Sequence, residues 1–124
     1  MLDRAPDSTK APFFSVVIPT YNRADKLRRA LDGLRHQTCR DFEVIVCDDG
    51  STDATREVVA AYAEALPLTY LWEANWGGPA RPRNRGIAAA RCEWVCFLDA
   101  DDWWYPEKLA EVLLKTGEAD LIYH

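Results

Sequence analysis

The sequence predicts an α/β domain, an open, mostly parallel sheet with helices on both faces. Two observations carry this. Short apolar runs rich in β-branched residues alternate with longer segments whose apolar residues recur at helical spacing. Three of those runs end in distinctive polar clusters, as expected where strands feed loops that open helices. A length of 124 residues suits one compact domain with a modest core.

The elements follow in order. Residues 1–12 are charged and polar with no apolar core, so they read as a mobile lead-in and not as a secretory signal. Residues 13–124 read as the domain. Phe13 to Pro19 (FFSVVIP) is a first strand stopped by its proline. Asn22 is the expected N-cap of a helix whose stripe is Leu27, Ala30, Leu31 and Leu34. Phe42 to Cys47 is a second strand, ended by Asp48-Asp49-Gly50-Ser51. Ser51 or Asp53 can cap the next helix, which buries Val58, Val59, Tyr62 and Leu66.

Leu68 to Trp72 is a third strand, and Asn75 to Pro79 a turn-forming linker. A helix is expected from about Pro82 to Ala90. Trp94 to Leu98 is a fourth strand, running into Asp99-Ala100-Asp101-Asp102. Pro106 opens a helix with Leu109, Val112 and Leu113 inward, and Gly117 stops it. Asp120 to His124 begins another strand.

Composition narrows the functional classes. A net charge of -5 argues against general nucleic-acid binding, which needs a basic face. No run reaches the length of a membrane-spanning helix. Of the four cysteines, Cys47 and Cys96 sit inside strand patterns as small hydrophobes. Cys92 and Cys96 lack the partners a zinc site needs, so reduced thiols in a cytoplasmic compartment are expected.

In an open parallel sheet, ligands bind outside the carboxyl ends of the strands. Pro19-Thr20-Tyr21-Asn22, Asp48-Asp49-Gly50-Ser51 and Asp99-Ala100-Asp101-Asp102 all occupy that edge. With the first strand central, the three loops converge on one crevice. The clustered aspartates repel one another unless water, a cation or a helix end relieves them. Two readings stand: an acidic loop leading into the helix, or a site for a hard divalent cation such as Mg or Mn beside a phosphorylated ligand. Asp49 can accept a hydrogen bond from a base N–H, as in uracil or guanine, or can serve only the turn. Tyr21 offers a stacking face or simply packs over the sheet edge. Arg81, Arg83 and Arg85 suit phosphate oxygens or form a solvated helix face. Trp103, Trp104 and Tyr105 are expected to cover the sheet end.

The runs SVVIPTYNR, VIVCDDGSTD, GGPARPRNRGIAAA and VCFLDADDWWYPEKL, in this order, resemble the donor-binding half of family 2 glycosyltransferases. The resemblance implies a Rossmann-like GT-A fold and a nucleotide-sugar donor. By resemblance the donor is UDP-linked, with Pro19 and Tyr21 bordering the base and Asp49 bonding it. Arg83 would lie near the nucleotide, Asp99 near the ribose or the metal, and Asp101 would be the principal ligand of a Mn or Mg ion. The implied reaction inverts the anomeric centre by direct displacement onto a saccharide, lipid or protein acceptor.

The catalytic base of that family lies in a half expected to follow His124, so none is assigned, and Asp102 is a poor substitute. The chain is thus expected to be a truncated donor half, with exposed sheet surface favouring a homodimer. It is expected to be cytoplasmic, or peripheral at the inner membrane face within a longer parent. Pro82 departs from the family pattern, and the helix is expected to start at or near it. A non-catalytic nucleotide-sugar-binding or assembly module is the alternative from another class. A nucleotidyltransferase is a weaker rival. A dinucleotide oxidoreductase is disfavoured because Pro19-Thr20-Tyr21-Asn22 is no glycine-rich phosphate turn.

Overall fold

The computed structural model describes residues 13–74, 80–92 and 94–115, apart from the side chains of Ala80, Arg81, Arg83 and Lys115. The expected lead-in, the Asn75–Pro79 turn, the Gly117 stop and the Asp120–His124 strand lie outside the described residues. Eight elements alternate: β1 (Phe14–Thr20), α1 (Ala24–Arg35), β2 (Phe42–Asp48), α2 (Thr55–Tyr62), β3 (Leu68–Trp72), α3 (Ala80–Ala89), β4 (Trp94–Phe97) and α4 (Lys108–Lys115).

The four strands form one parallel sheet in the order β3-β2-β1-β4, so β1 is central as expected. Strand alternation sorts its side chains onto two faces. Phe14, Val16 and Ile18 join Val44 and Val46 on the face packed by Leu27, Leu31 and Leu34 of α1, Val58 and Val59 of α2, and Leu109 and Val112 of α4. Val17, Ile45 and Cys47 point to the opposite face, which α3 covers. Gly86 makes that docking close, because a Cβ there would stand 2.3 Å from Val17 Cγ1. Helices therefore cover both faces of the sheet.

Several boundaries correct the sequence reading. Pro19 does not stop β1, which runs through it to Thr20. Val17 O accepts from Leu98 N, so residue 19, two further on, also faces the β4 side, where pairing has ended. The missing proline N–H therefore costs no ladder bond. Helix α3 begins at Ala80, two residues before Pro82. The proline still lies in the first turn, where its absent N–H has no intrahelical partner to lose.

Helix α4 begins at Lys108, two residues after Pro106, and Leu113 is 41% exposed instead of inward. Leu66 is buried as expected but lies past the end of α2. Of the three aromatics after the acidic loop, only Trp104 enters the core, whereas Trp103 and Tyr105 are exposed.

Two buried polar groups fix the sheet's surroundings. Gln37, just past α1, donates from Nε2 to Tyr105 O at 2.7 Å and accepts from Leu109 N at 2.9 Å. It thereby caps α4 and holds the segment after the acidic loop against α1. At the N-terminal end of β2, Glu43 accepts from Ser15 Oγ at 2.6 Å, from Arg91 N at 2.8 Å and from Arg91 Nε at 3.1 Å. Burial alone would raise the Glu43 carboxyl, but these hydrogen bonds outweigh it and hold the group below its ordinary value. Among the described residues, no helix is long and apolar enough to cross a membrane.

Candidate donor site at the strand ends

Pro19, Tyr21, Asp49, Asp99 and Asp101 sit where strands run out, whereas Arg83 lies in α3. Asp48 closes β2 and is buried, accepting from the Tyr70 hydroxyl and, at 2.8 Å, from Ser51 N. Burial, then the bond to Asp48, raises the Tyr70 phenol well above its usual value. Asp48 is thus consumed by structure, holding the turn after β2. Gly50 in that turn has φ 90°, a conformation L side chains rarely adopt. Asp49 is 6% exposed, and its N–H bonds Thr20 O at 2.9 Å. That bond ties the end of β2 to the residue before Tyr21. Tyr21 is 44% exposed and lines a hollow with Asn22 to Lys26, Asp53 and Ala54, separate from the cleft that Asp49 lines. Pro19 is buried in β1 beside Cys47.

The loop after β1 joins the other two. Asn22 is not the N-cap of α1, as expected from its type and place. Arg23 holds that position with no side-chain bond, and Asp53 Oδ2 accepts the Ala24 N–H at 3.2 Å. Asn22 instead takes φ 50° and reaches across to the loop after β2. Asp53, one of the two expected caps of α2, also accepts from Thr55 N at 3.0 Å, whereas Ser51 Oγ accepts from Asn22 N. Toward β4, Arg23 pairs with Asp101 at 3.8 Å and Arg29 donates to Asp101 O at 3.4 Å. Asp49 and Asp101 therefore belong to one end of the sheet, the first joined to Thr20 at the close of β1 and the second to Arg23.

The arginines divide. The Arg83 side chain lies outside the described residues, as does that of Arg81. Arg85 pairs with Glu73 beyond β3 instead of standing free for phosphates. Together with Cys47, Asp48, Asp49, Leu71 and Pro82 they line a small cleft under the start of α3. Sequence reasoning missed Glu73. Its signal was an acid directly after a strand, level with the Asp48-Asp49 pair. Burial pushes the Cys47 thiol up to about 11, which makes it an inert wall of that cleft.

The acidic loop turns tightly. Asp102 N bonds Asp99 O at 2.9 Å, and Asp102 Oδ1 accepts from Trp103 N at 3.0 Å. Among the described residues, no three His, Cys, Asp or Glu side chains converge as a cation cage. The loop carries three exposed aspartates: Asp99, Asp101, which is paired with Arg23, and Asp102, whose Oδ1 accepts from Trp103 N. Such a donor set fits a magnesium-type ion, which takes one or two carboxylates and completes its shell with water and substrate phosphates.

A family model described as glycosyl transferase family 2 matches residues 15–122. The chain belongs to glycosyltransferase family 2. Validoxylamine A glucosyltransferase from Streptomyces hygroscopicus subsp. jinggangensis is 43% identical over 109 residues, covering 86% of this chain and 26% of that enzyme. The crystal structure of S. aureus TarS 1-349 in complex with UDP superposes with a TM-score of 0.81 at 38% identity, covering 86% of this chain and 32% of that one. The mannosyltransferase PcManGT from Pyrobaculum calidifontis, in complex with GDP-Man and Mn2+, superposes with a TM-score of 0.69 at 39% identity, covering 82% and 31%. These neighbours are GT-A enzymes, so the Rossmann-like GT-A expectation holds for this family 2 chain. The chain spans between 26% and 34% of the first three curated relatives it matches.

Proposed function

We propose that this chain binds the nucleotide part of a UDP-linked sugar and a divalent cation, Mn or Mg, for inverting transfer to a saccharide, lipid or protein acceptor. The observation that carries the reading is the meeting of three strand-end loops at one edge: Asp49 N on Thr20 O, and Arg23 on Asp101. The S. aureus neighbour with bound UDP supports the choice of base, and the mannosyltransferase with Mn2+ supports the cation.

In this reading Tyr21 stacks on the base, and Asp49 accepts its imino N–H from a buried position. Pro19 and Arg83 border the nucleotide. Asp101, with Asp99, would hold the cation. When bound, that ion supplies Lewis-acid stabilisation of the departing diphosphate. Arg23 holds the Asp101 carboxylate toward the β1–α1 loop, and Gln37 steadies the segment behind it. In the same reading the chain works in the cytoplasm, or peripherally at the inner membrane face within a longer parent.

Calorimetric titration of UDP into the chain, with and without Mn, tests the reading. Binding that tightens with Mn is expected. No binding by folded protein in either condition would refute it.

A further inference from the structure

We propose that Asn22 and Asp53 form a positioning brace for nucleoside recognition, holding the Tyr21 loop and the Asp49 loop at one fixed separation. The proposal rests on the donor-site reading above and gives neither residue a ligand contact.

Four hydrogen bonds cross between these loops. Asn22 N donates to Ser51 Oγ at 2.8 Å, and Asn22 Oδ1 accepts from Thr52 N at 2.8 Å and Asp53 N at 3.3 Å. Asp53 Oδ2 returns the tie by accepting from Ala24 N at 3.2 Å. The other Asp53 oxygen takes the Thr55 N–H at 3.0 Å and the Thr55 hydroxyl at 2.5 Å. One carboxylate thereby serves the first turns of both α1 and α2, where helix dipoles favour negative charge. Asn22 can face the second loop only because its backbone is left-handed, at φ 50°. Asparagine tolerates that region better than most residues.

The brace sits outside the core. Asn22, Thr52, Asp53 and Ala54 are exposed, and the strands beneath are already locked by pairing from Phe14↔Phe42 to Thr20↔Asp48. Exposed polar ties of this kind add little to global stability. Their effect is local, because loops in water otherwise open at low cost. What they hold are the residues ahead of each tie, Tyr21 directly before Asn22 and Asp49 two residues before Ser51. A stacking ring and an acceptor kept at fixed spacing bind a planar base without a further ordering penalty.

The test compares UDP with inorganic diphosphate, both titrated with Mn into the 124-residue chain. Wild type, Asn22→Gly, Asn22→Asp and Asp53→Asn are measured at a temperature where circular dichroism shows each one folded. Glycine keeps the left-handed backbone and loses the Oδ1 acceptor, whereas aspartate restores it. Asn22→Gly is expected to weaken UDP about tenfold, the size of two lost neutral hydrogen bonds. Diphosphate should stay within about twofold and Asn22→Asp near wild type, because neither touches nucleoside contacts. Asp53→Asn should show the same UDP-selective loss, and it carries the test if Asn22→Gly does not fold. Unchanged UDP affinity, equal loss for both probes, or an Asn22→Asp variant as weak as Asn22→Gly would overturn the brace. A wild type that binds neither probe would instead overturn the donor-site reading beneath it.

Discussion

Arg91 grips Glu43 from two directions, with its backbone amide at 2.8 Å on one carboxylate oxygen and its guanidinium at 3.1 Å on the other. This clasp ties the end of α3 to β2 at the sheet edge opposite the crevice, and its partners predict acid sensitivity. The Glu43 carboxyl is held below its ordinary value of 4.5, so its stabilisation is fully present above that pH. It is lost as pH falls through the lower folded value. Glu43→Gln should lower the unfolding free energy by about 2 kcal/mol at pH 7. Urea melts from pH 7 down to pH 2 should show the variant's deficit shrinking below pH 4.5.

Gly86→Ala should destabilise the fold by about 1–3 kcal/mol, because the added methyl meets Val17 Cγ1 at 2.3 Å and Cys47 Sγ at 3.0 Å. Val17→Ala opens that space. A double-mutant cycle by chemical denaturation should therefore show favourable coupling between the two changes.

Asp49→Ala should weaken UDP at least tenfold, since a buried acceptor for the base N–H is removed. Titration calorimetry reads this directly. An unchanged affinity would separate Asp49 from the base.

Asp101→Asn should abolish the gain in UDP affinity that Mn provides, and chelation with EDTA should do the same to wild type. The ion pair it loses, Arg23–Asp101, is half exposed on both sides. The accompanying stability change should stay within about 0.5 kcal/mol.

Thiol labelling of the native chain at pH 8 should spare Cys47 and Cys96. Burial raises the first to about 11 and the second to about 12, so the thiolate is nearly absent. Cys39, half-buried, should react ahead of Cys92, whose thiol burial also raises. Mass mapping of a timed reaction checks the order.

Much of this molecule is legible along the chain because its signals are periodic. Apolar runs and helical stripes identify the strands and the buried faces of α1 and α2, and alternation of the two forces a parallel sheet. The site edge follows from connectivity alone. What escapes is any tie whose partner is distant. The type of Asn22 suggests a cap, but its partner is the loop 30 positions on, while Asp53 caps α1 from outside it.

Gln37 capping α4 across 72 positions has no local sign at all. The Glu43 clasp left a faint one. A polar residue stands second in each of two otherwise apolar strand starts, Ser15 and Glu43, and the register pairs them. Leu113 defeats the pattern because α4 presents only Leu109 and Val112 to the core.

The order β3-β2-β1-β4 also governs how the molecule must assemble. No two neighbouring strands are joined by a hairpin, so every pairing closes over an intervening helix, and such closures are slow. On the ribosome, β1 emerges first yet waits for β4, which begins only at Trp94, before its second edge is covered. Until then β1, buried along its whole length in the folded molecule, is open to any passing chain, which makes early synthesis the period of greatest risk for aggregation.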